Sequence, residues 1–195
     1  MEPQYTRTAM LLHWLIAVLL LGQFLFGWYL TGIPRGIPER GYFVNLHKST
    51  GLVIGVLVLL RIAWRLSHTP PPLPQTVPGW QRTAARVSHV LLYVLMLAMP
   101  LSGYIASNFS KWGVKIFNTF TLPPWGSDDK QIYAFFNQAH QILSWALLGL
   151  ILLHVLAALK HALLDRDEIL FRMAPLGRSN RHTGETGNTN RRHEP

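Results

Sequence analysis

The sequence predicts an all-α integral membrane protein, a bundle of four spanning helices. Hydrophobic residues make up 49% of the 195 and charged residues only 14%, where soluble domains carry about a quarter charged. Four apolar runs each approach the roughly 20 residues that a helix needs to cross a hydrocarbon core. Leaving aside His161 at the inner end of the fourth, five of the nine histidines fall inside those runs, and intramembrane ionisable side chains are costly enough to indicate function by default.

The first run covers about 9–30. Only Arg7 precedes it at the N-terminus as a cation, the run is too long for a signal h-region, and no clear small-x-small site follows, so a retained span is expected. "TGIPRGIPERGY" then makes a short Gly- and Pro-rich turn into the second run, about 46–66, which ends with Arg61 and Arg65. "HTPPPLPQTVPGWQ" reads as a semi-rigid extended connection. The third run covers about 84–106 with Pro100 late in it, and the fourth about 135–164. Between them, "SNFSKWGVKIFNTFTLPPWGSDDK" is the longest loop, aromatic and suited to lie in the interface as a lid. In lipid each span must satisfy its own backbone, so all four are helices. Residues 1–175 form one unit, and 176–195 are expected to be a disordered tail, low in apolar residues. His182 and His193 lie there and take no role; no internal repeat is present.

An even number of spans puts both termini on one side. On that side stand Arg7, Arg61, Arg65, Arg82, Arg86, Lys160, Arg166, Arg172, Arg178, Arg181, Arg191 and Arg192. The other holds Arg35, Arg40, Lys48, Lys111, Lys115 and Lys130, so 12 cations face 6 and the termini are predicted cytoplasmic. The net charge of +9 therefore fits membrane orientation, not nucleic acid. The absence of cysteine excludes disulfides, thiolate-held iron–sulfur clusters, cysteine nucleophiles and covalent c-type haem.

The histidines are ordered by depth. His13 and His89 lie near the inner ends of the first and third spans, and His47 and His140 near the outer ends of the second and fourth. His154 is in the inner half of the fourth. Fourteen helical residues rise about 21 Å and return to within about 40° of the same azimuth. His140 and His154 therefore share a face, one near each side of the membrane. His161 continues the column about 10 Å further in. Two imidazoles on different helices can hold one haem iron from both sides, leaving no position open for oxygen. His47 pairs by depth with His140, and His154 pairs with either His13 or His89. The product is an all-α four-helix bundle with two haem b groups in its core. Gly51 and Gly55, one and two turns after His47, would leave a smooth strip for a flat macrocycle, with Gly22, Gly27 and Gly149 in similar roles. Ordinary small-residue helix packing explains the same glycines. Lys48 is a candidate partner for a haem propionate, or a snorkelling surface lysine. The competing function classes are structural histidines and a proton or metal transporter; the latter normally shows acidic residues in its spans, and none is evident.

"LLHWLIAVLLL" around His13, "LHKSTGLVIGVLVLLRIAWRL" around His47, "PPPLP", "HVLLYVLMLAMPLSGY" from His89 and "HVLAALKHALLDRDEILFRMAP" resemble the bacterial cytochrome b561 family over about residues 5–175. The resemblance is to small four-helix di-haem members of the superoxide:ubiquinone oxidoreductase type. It implies axial haem iron ligation by His13, His47, His140 and His154, which selects His13 over His89. His89 then becomes a haem neighbour. It also implies a quinone site near His161, where an imidazole at the hydrocarbon edge can bond a quinone carbonyl and relay a proton. Lys160 and Asp165, close in sequence, and Arg86 near the inner end of the third span are candidates to assist at the quinone site. The alternative for His161 is a helix-end histidine favoured by the helix dipole. The inner loop has Arg82 and Arg86 and no lysine, a departure from the family pattern. The implied function is electron transfer from superoxide or another outer donor to ubiquinone or another quinone in the inner membrane. The runner-up is a haem-anchoring subunit for another respiratory redox partner.

Overall fold

The computed structural model describes residues 4–72, 77–165 and 171–173. Four long helices are present: α1 (Arg7–Gly32), α2 (Pro38–Ser67), α3 (Gly79–Asn108) and α4 (Lys130–Lys160). All four have the length and composition to cross a membrane. The expected tail, 176–195, lies outside the described residues.

Each helix start has a local cause. Thr6 caps α1 by accepting a hydrogen bond from the Ala9 amide at 3.3 Å. Pro38 opens α2, where a missing amide costs nothing. Asp129 caps α4, its carboxylate accepting from the Gln131 and Ile132 amides at 2.8 and 3.0 Å. Between α1 and α2 the chain turns at Gly36, whose φ of 96° suits glycine.

The helices are longer than the apolar runs. α2 starts at Pro38 rather than near 46, because "PERGYFVN" continues the helix beyond the hydrophobic stretch. α4 likewise starts at Lys130 rather than near 135, and at His161 it widens into a π turn, His161–Asp165. The long loop also holds structure that hydropathy does not reveal. β1 (Val114–Ile116) pairs antiparallel with β2 (Phe120–Leu122), Val114 opposite Leu122 and Ile116 opposite Phe120. The turn between them puts Phe117 and Asn118 at φ 43° and 59°. Three residues, 117–119, make the connection, and the left-handed pair forms the tight turn that the Thr119 amide closes by donating to the Ile116 carbonyl at 2.9 Å.

Close backbone packing runs in chain order, α1 on α2, α2 on α3 and α3 on α4. The outward faces are apolar: Leu11, Val18, Leu21 and Leu25 make one such stripe on α1, suited to lipid. Ile16, Leu20, Phe24, Ile54, Val58, Leu92, Met99 and Leu147 form a contiguous core. Leu147, fully buried, sits midway along α4 between His140 and His154. The apolar core thus separates two ends, one capped by the hairpin and one carrying the termini.

Candidate functional site

At the hairpin end, α2 and α4 bring His47 and His140 together with ring centres 6.3 Å apart. At the terminal end, α1 and α4 bring His13 and His154 to the same separation, 6.3 Å. His89 of α3 also reaches His154, at 5.5 Å. The depth ordering and the shared face of His140 and His154 are therefore present, and α4 approaches α1 and α2 through these histidines.

The spacing can be compared with what a haem iron needs. Metal–imidazole bonds of about 2.0–2.1 Å, with each nitrogen roughly 1.1 Å from its ring centre, put two opposed rings about 6.3 Å apart. By ring-centre distance the His47/His140 and His13/His154 pairs match that span and His89/His154 is shorter by 0.8 Å, the rings of all three pairs meeting edge to face. Among the described residues no three His, Asp or Glu side chains converge as a bare metal ion requires. Two opposed imidazoles suit a metal whose other ligands come from a macrocycle.

The surroundings of the hairpin-end pair are specific. The Nδ1 of His140 lies 2.8 Å from the Met99 carbonyl. A carbonyl can only accept, so Nδ1 carries the proton and Nε2 is left as the ligand atom. Ser102 donates to the same carbonyl at 2.7 Å. Gly103 makes the approach possible: a Cβ there would stand 3.0 Å from His140 Nδ1. A Cβ on Gly27 would stand 3.4 Å from His47 Cε1. His47 Nδ1 is buried and makes no hydrogen bond, an expensive condition for a polar atom and one compatible with a ring held for a ligand. On the other side of His47, Gln23 donates to its backbone carbonyl at 2.7 Å. That bond ties α1 to α2 in register.

Several expected neighbours are placed otherwise. Gly51 lies against Gln23 and Gly55 against the Pro100 ring, so helix packing fills the strip that was expected to face a macrocycle. Gly22 and Gly149 face open space, while Gly27 does lie under an imidazole. Lys48, expected to meet a propionate, donates to the Gly113 carbonyl at 3.0 Å and so fastens the hairpin. An ammonium near the end of an apolar helix takes the nearest carbonyl. Buried Ser49 accepts from the Phe117 amide at 2.8 Å, and Asn45 donates to Asn118 at 3.0 Å. The hairpin is thus bound to the turns of α2 that flank His47.

At the terminal end, His161 and Lys160 share one carboxylate oxygen of Asp165, at 3.2 and 2.5 Å. Arg86 stands exposed on α3 and makes no ion pair with this group. Sequence reasoning passed over Gln23, Ser102 and Gly103. Gln23 was visible as the one amide within "LLLGQFLFG"; nothing in the sequence alone marks Gly103.

Comparison with known proteins gives the family. Residues 4–175 match the family described as prokaryotic cytochrome b561. "Cytochrome b561 homolog 2" of Escherichia coli (strain K12) is 35% identical over 88% of this chain and 90% of its own length. "Cytochrome b562" of Cereibacter sphaeroides is 31% identical over 88% of this chain and 96% of its own. "Probable superoxide oxidase CybB" of Yersinia pestis is 29% identical over 90% of this chain and 98% of its own. Family, four membrane-length helices and opposed imidazoles coincide in one chain: it belongs to the prokaryotic cytochrome b561 family, multi-pass membrane proteins that carry electrons on haem b.

Proposed function

We propose that this protein passes electrons across the bacterial inner membrane, from a donor at the hairpin face to a quinone at the face carrying the termini. Two facing histidine pairs at opposite ends of one bundle carry the reading. His47 and His140 are assigned to an outer haem b, and His13 and His154 to an inner one. His89 is a neighbour of the inner site. Both termini are cytoplasmic, by the excess of arginine on that side. Each haem, when bound, supplies a reversible one-electron iron couple. The helices hold the imidazoles opposed, the Met99 carbonyl fixes the His140 tautomer, and the apolar core keeps water from the space between the two levels.

Superoxide is the assigned donor. Two superoxide anions each give up one electron and leave as oxygen; one quinone takes those two electrons and two protons to become quinol. The relative named as a probable superoxide oxidase supports this. So does the outer face, where six cations stand against Glu39, Asp128 and Asp129 and would raise the encounter rate of a small anion. The test is purified protein in liposomes loaded with ubiquinone and exposed to a superoxide source. Haem reduction followed by quinol formation is expected. Relatives named simply as cytochromes favour a second reading, a docked redox protein as donor, and haem that superoxide leaves oxidised selects it.

The quinone site is assigned to the end of α4. The carboxylate of Asp165 holds His161 through Nδ1 and Lys160 through Nζ, and proton delivery to a quinone carbonyl is assigned to the imidazole, with Lys160 and Arg86 as candidate helpers. In His161→Ala both haems and their reduction from the outer face are retained. Quinone reduction falls about 100-fold, the low end for a positioned proton-transfer group. A wild-type rate in that variant moves the site to the His89 side of the bundle.

Gly103→Ala tests the outer site without touching a ligand. The added methyl would stand 3.0 Å from His140 Nδ1, so the ring must give by a few tenths of an ångström, straining its bond to the Met99 carbonyl. Loosened support of a metal-binding histidine costs about tenfold or more in affinity, so the outer haem dissociates faster by that factor. Gly149→Ala, facing open space, is silent.

A further inference from the structure

Arg61 is only 9% exposed, although α2 belongs to the spanning bundle. Its interval from His47 is fourteen residues, the same as from His140 to His154. Helix geometry therefore puts Arg61 on the His47 face of α2, one level further in, as His154 is on α4. Its anchors agree. Nη1 donates to the Ala9 carbonyl at 2.7 Å, one turn before His13 on α1. Nε donates to the Tyr93 hydroxyl at 3.1 Å, one turn after His89 on α3. Because α1 and α3 run the same way, the guanidinium spans the depth at which His13 and His89 meet His154. Each helix thus contributes one group to this level: three imidazoles and one guanidinium.

Both acceptors of Arg61 are neutral. Among the described residues the ion pairs are those of Asp165 with Lys160 and His161, and none involves Arg61. A small cavity of about 50 Å³ opens beside it, lined by Thr6, Ala9, Trp64, Arg65 and Tyr93 among others, with no carboxylate among the described residues of its wall. Arg65 adds a second guanidinium, 6.0 Å from the centre of the Tyr93 ring. A buried cation with no anion is strongly unfavourable, more so within a membrane. Three of the five guanidinium N–H groups remain for an acceptor, and a carboxylate matches their planar fork.

Haem b carries two propionate carboxylates. We infer that Arg61 is the counter-charge that binds a propionate of the inner haem. This rests on the assignment of an inner haem to His13 and His154. Arg61 is then a binding residue for the cofactor, and Tyr93 and the Ala9 carbonyl hold its side chain in place.

The test is a cycle between the side chain and the carboxylate. Wild type, Arg61→Gln and Arg61→Lys are each loaded with haem b or with its dimethyl ester. Release of the inner haem to an excess of apomyoglobin is timed, with release of the outer haem in the same sample reporting an intact fold. Arg61→Gln is expected to speed release of haem b about tenfold or more, the size of a lost charge-assisted hydrogen bond, and to leave release of the ester nearly unchanged. Arg61→Lys restores part of the retention of haem b. Equal acceleration for haem b and ester, or none for haem b, overturns the assignment alone and leaves a free anion or a purely structural arginine. A wild-type protein that holds a single haem overturns the two-haem reading and this inference together.

Discussion

With His140 replaced by alanine, the purified protein is expected to retain one haem where the wild type holds two, and the haem retained is the inner one. His154→Ala gives the reverse. The reason is the separation of the two pairs. His140 and His154 lie fourteen residues apart on one helix, about 21 Å along its axis. Sites that far apart with no shared partner behave independently. The residues between them, Ile16, Leu20, Phe24, Ile54, Val58, Leu92, Met99 and Leu147, form the core and keep their apolar packing in either variant; His140→Ala removes one hydrogen bond, to the Met99 carbonyl. The bundle therefore persists and only one site empties. Potentiometric titration followed at the haem absorption bands reads this directly: each variant should show a single wave, and the two waves should differ. Full haem loading in both variants sinks the ligand assignment.

The second large effect separates two neighbours of His154. His13→Ala is expected to remove the inner haem, while His89→Ala keeps it with a changed spectrum. The ring of His13 stands 6.3 Å from that of His154 and the ring of His89 5.5 Å, and only the former leaves room for a metal between two nitrogens, about 6.3 Å being required. On the proposed assignment His89 lies beside the site and shapes its surroundings without holding the iron. The check is haem content together with low-temperature electron paramagnetic resonance, where loss of one low-spin signal reports the loss of one axially paired centre. Loss of that signal in His89→Ala, with His13→Ala intact, exchanges the roles.

Much of this was legible before any coordinates. The four spans follow from apolar length, and the histidine levels follow from position along those spans, because a membrane helix converts sequence number into depth almost linearly. What the sequence hid is tertiary. Gly103 matters only because α4 places His140 against it. The hairpin has strands of three residues each, too short to announce themselves, and it depends on Ser49 and Asn45 from a distant helix. Lys48 reads from sequence as a propionate partner or a snorkelling lysine, and its stem carries the charge to the Gly113 carbonyl. Helix ends were misplaced where polar turns continue beyond the hydrocarbon, as at Pro38 and Lys130. Arg61 was seen as a flanking charge, and its burial among the inner histidines shows only when α1, α2 and α3 are assembled.

The central claim is that one chain holds two non-covalent b haems, each between a pair of histidines. Acid-acetone extraction of the purified protein, with haem measured as its pyridine complex and polypeptide by amino-acid analysis, tests it most directly. Two haems per chain, all of type b and none left on the protein, is the predicted result. One haem per chain, or none, contradicts it.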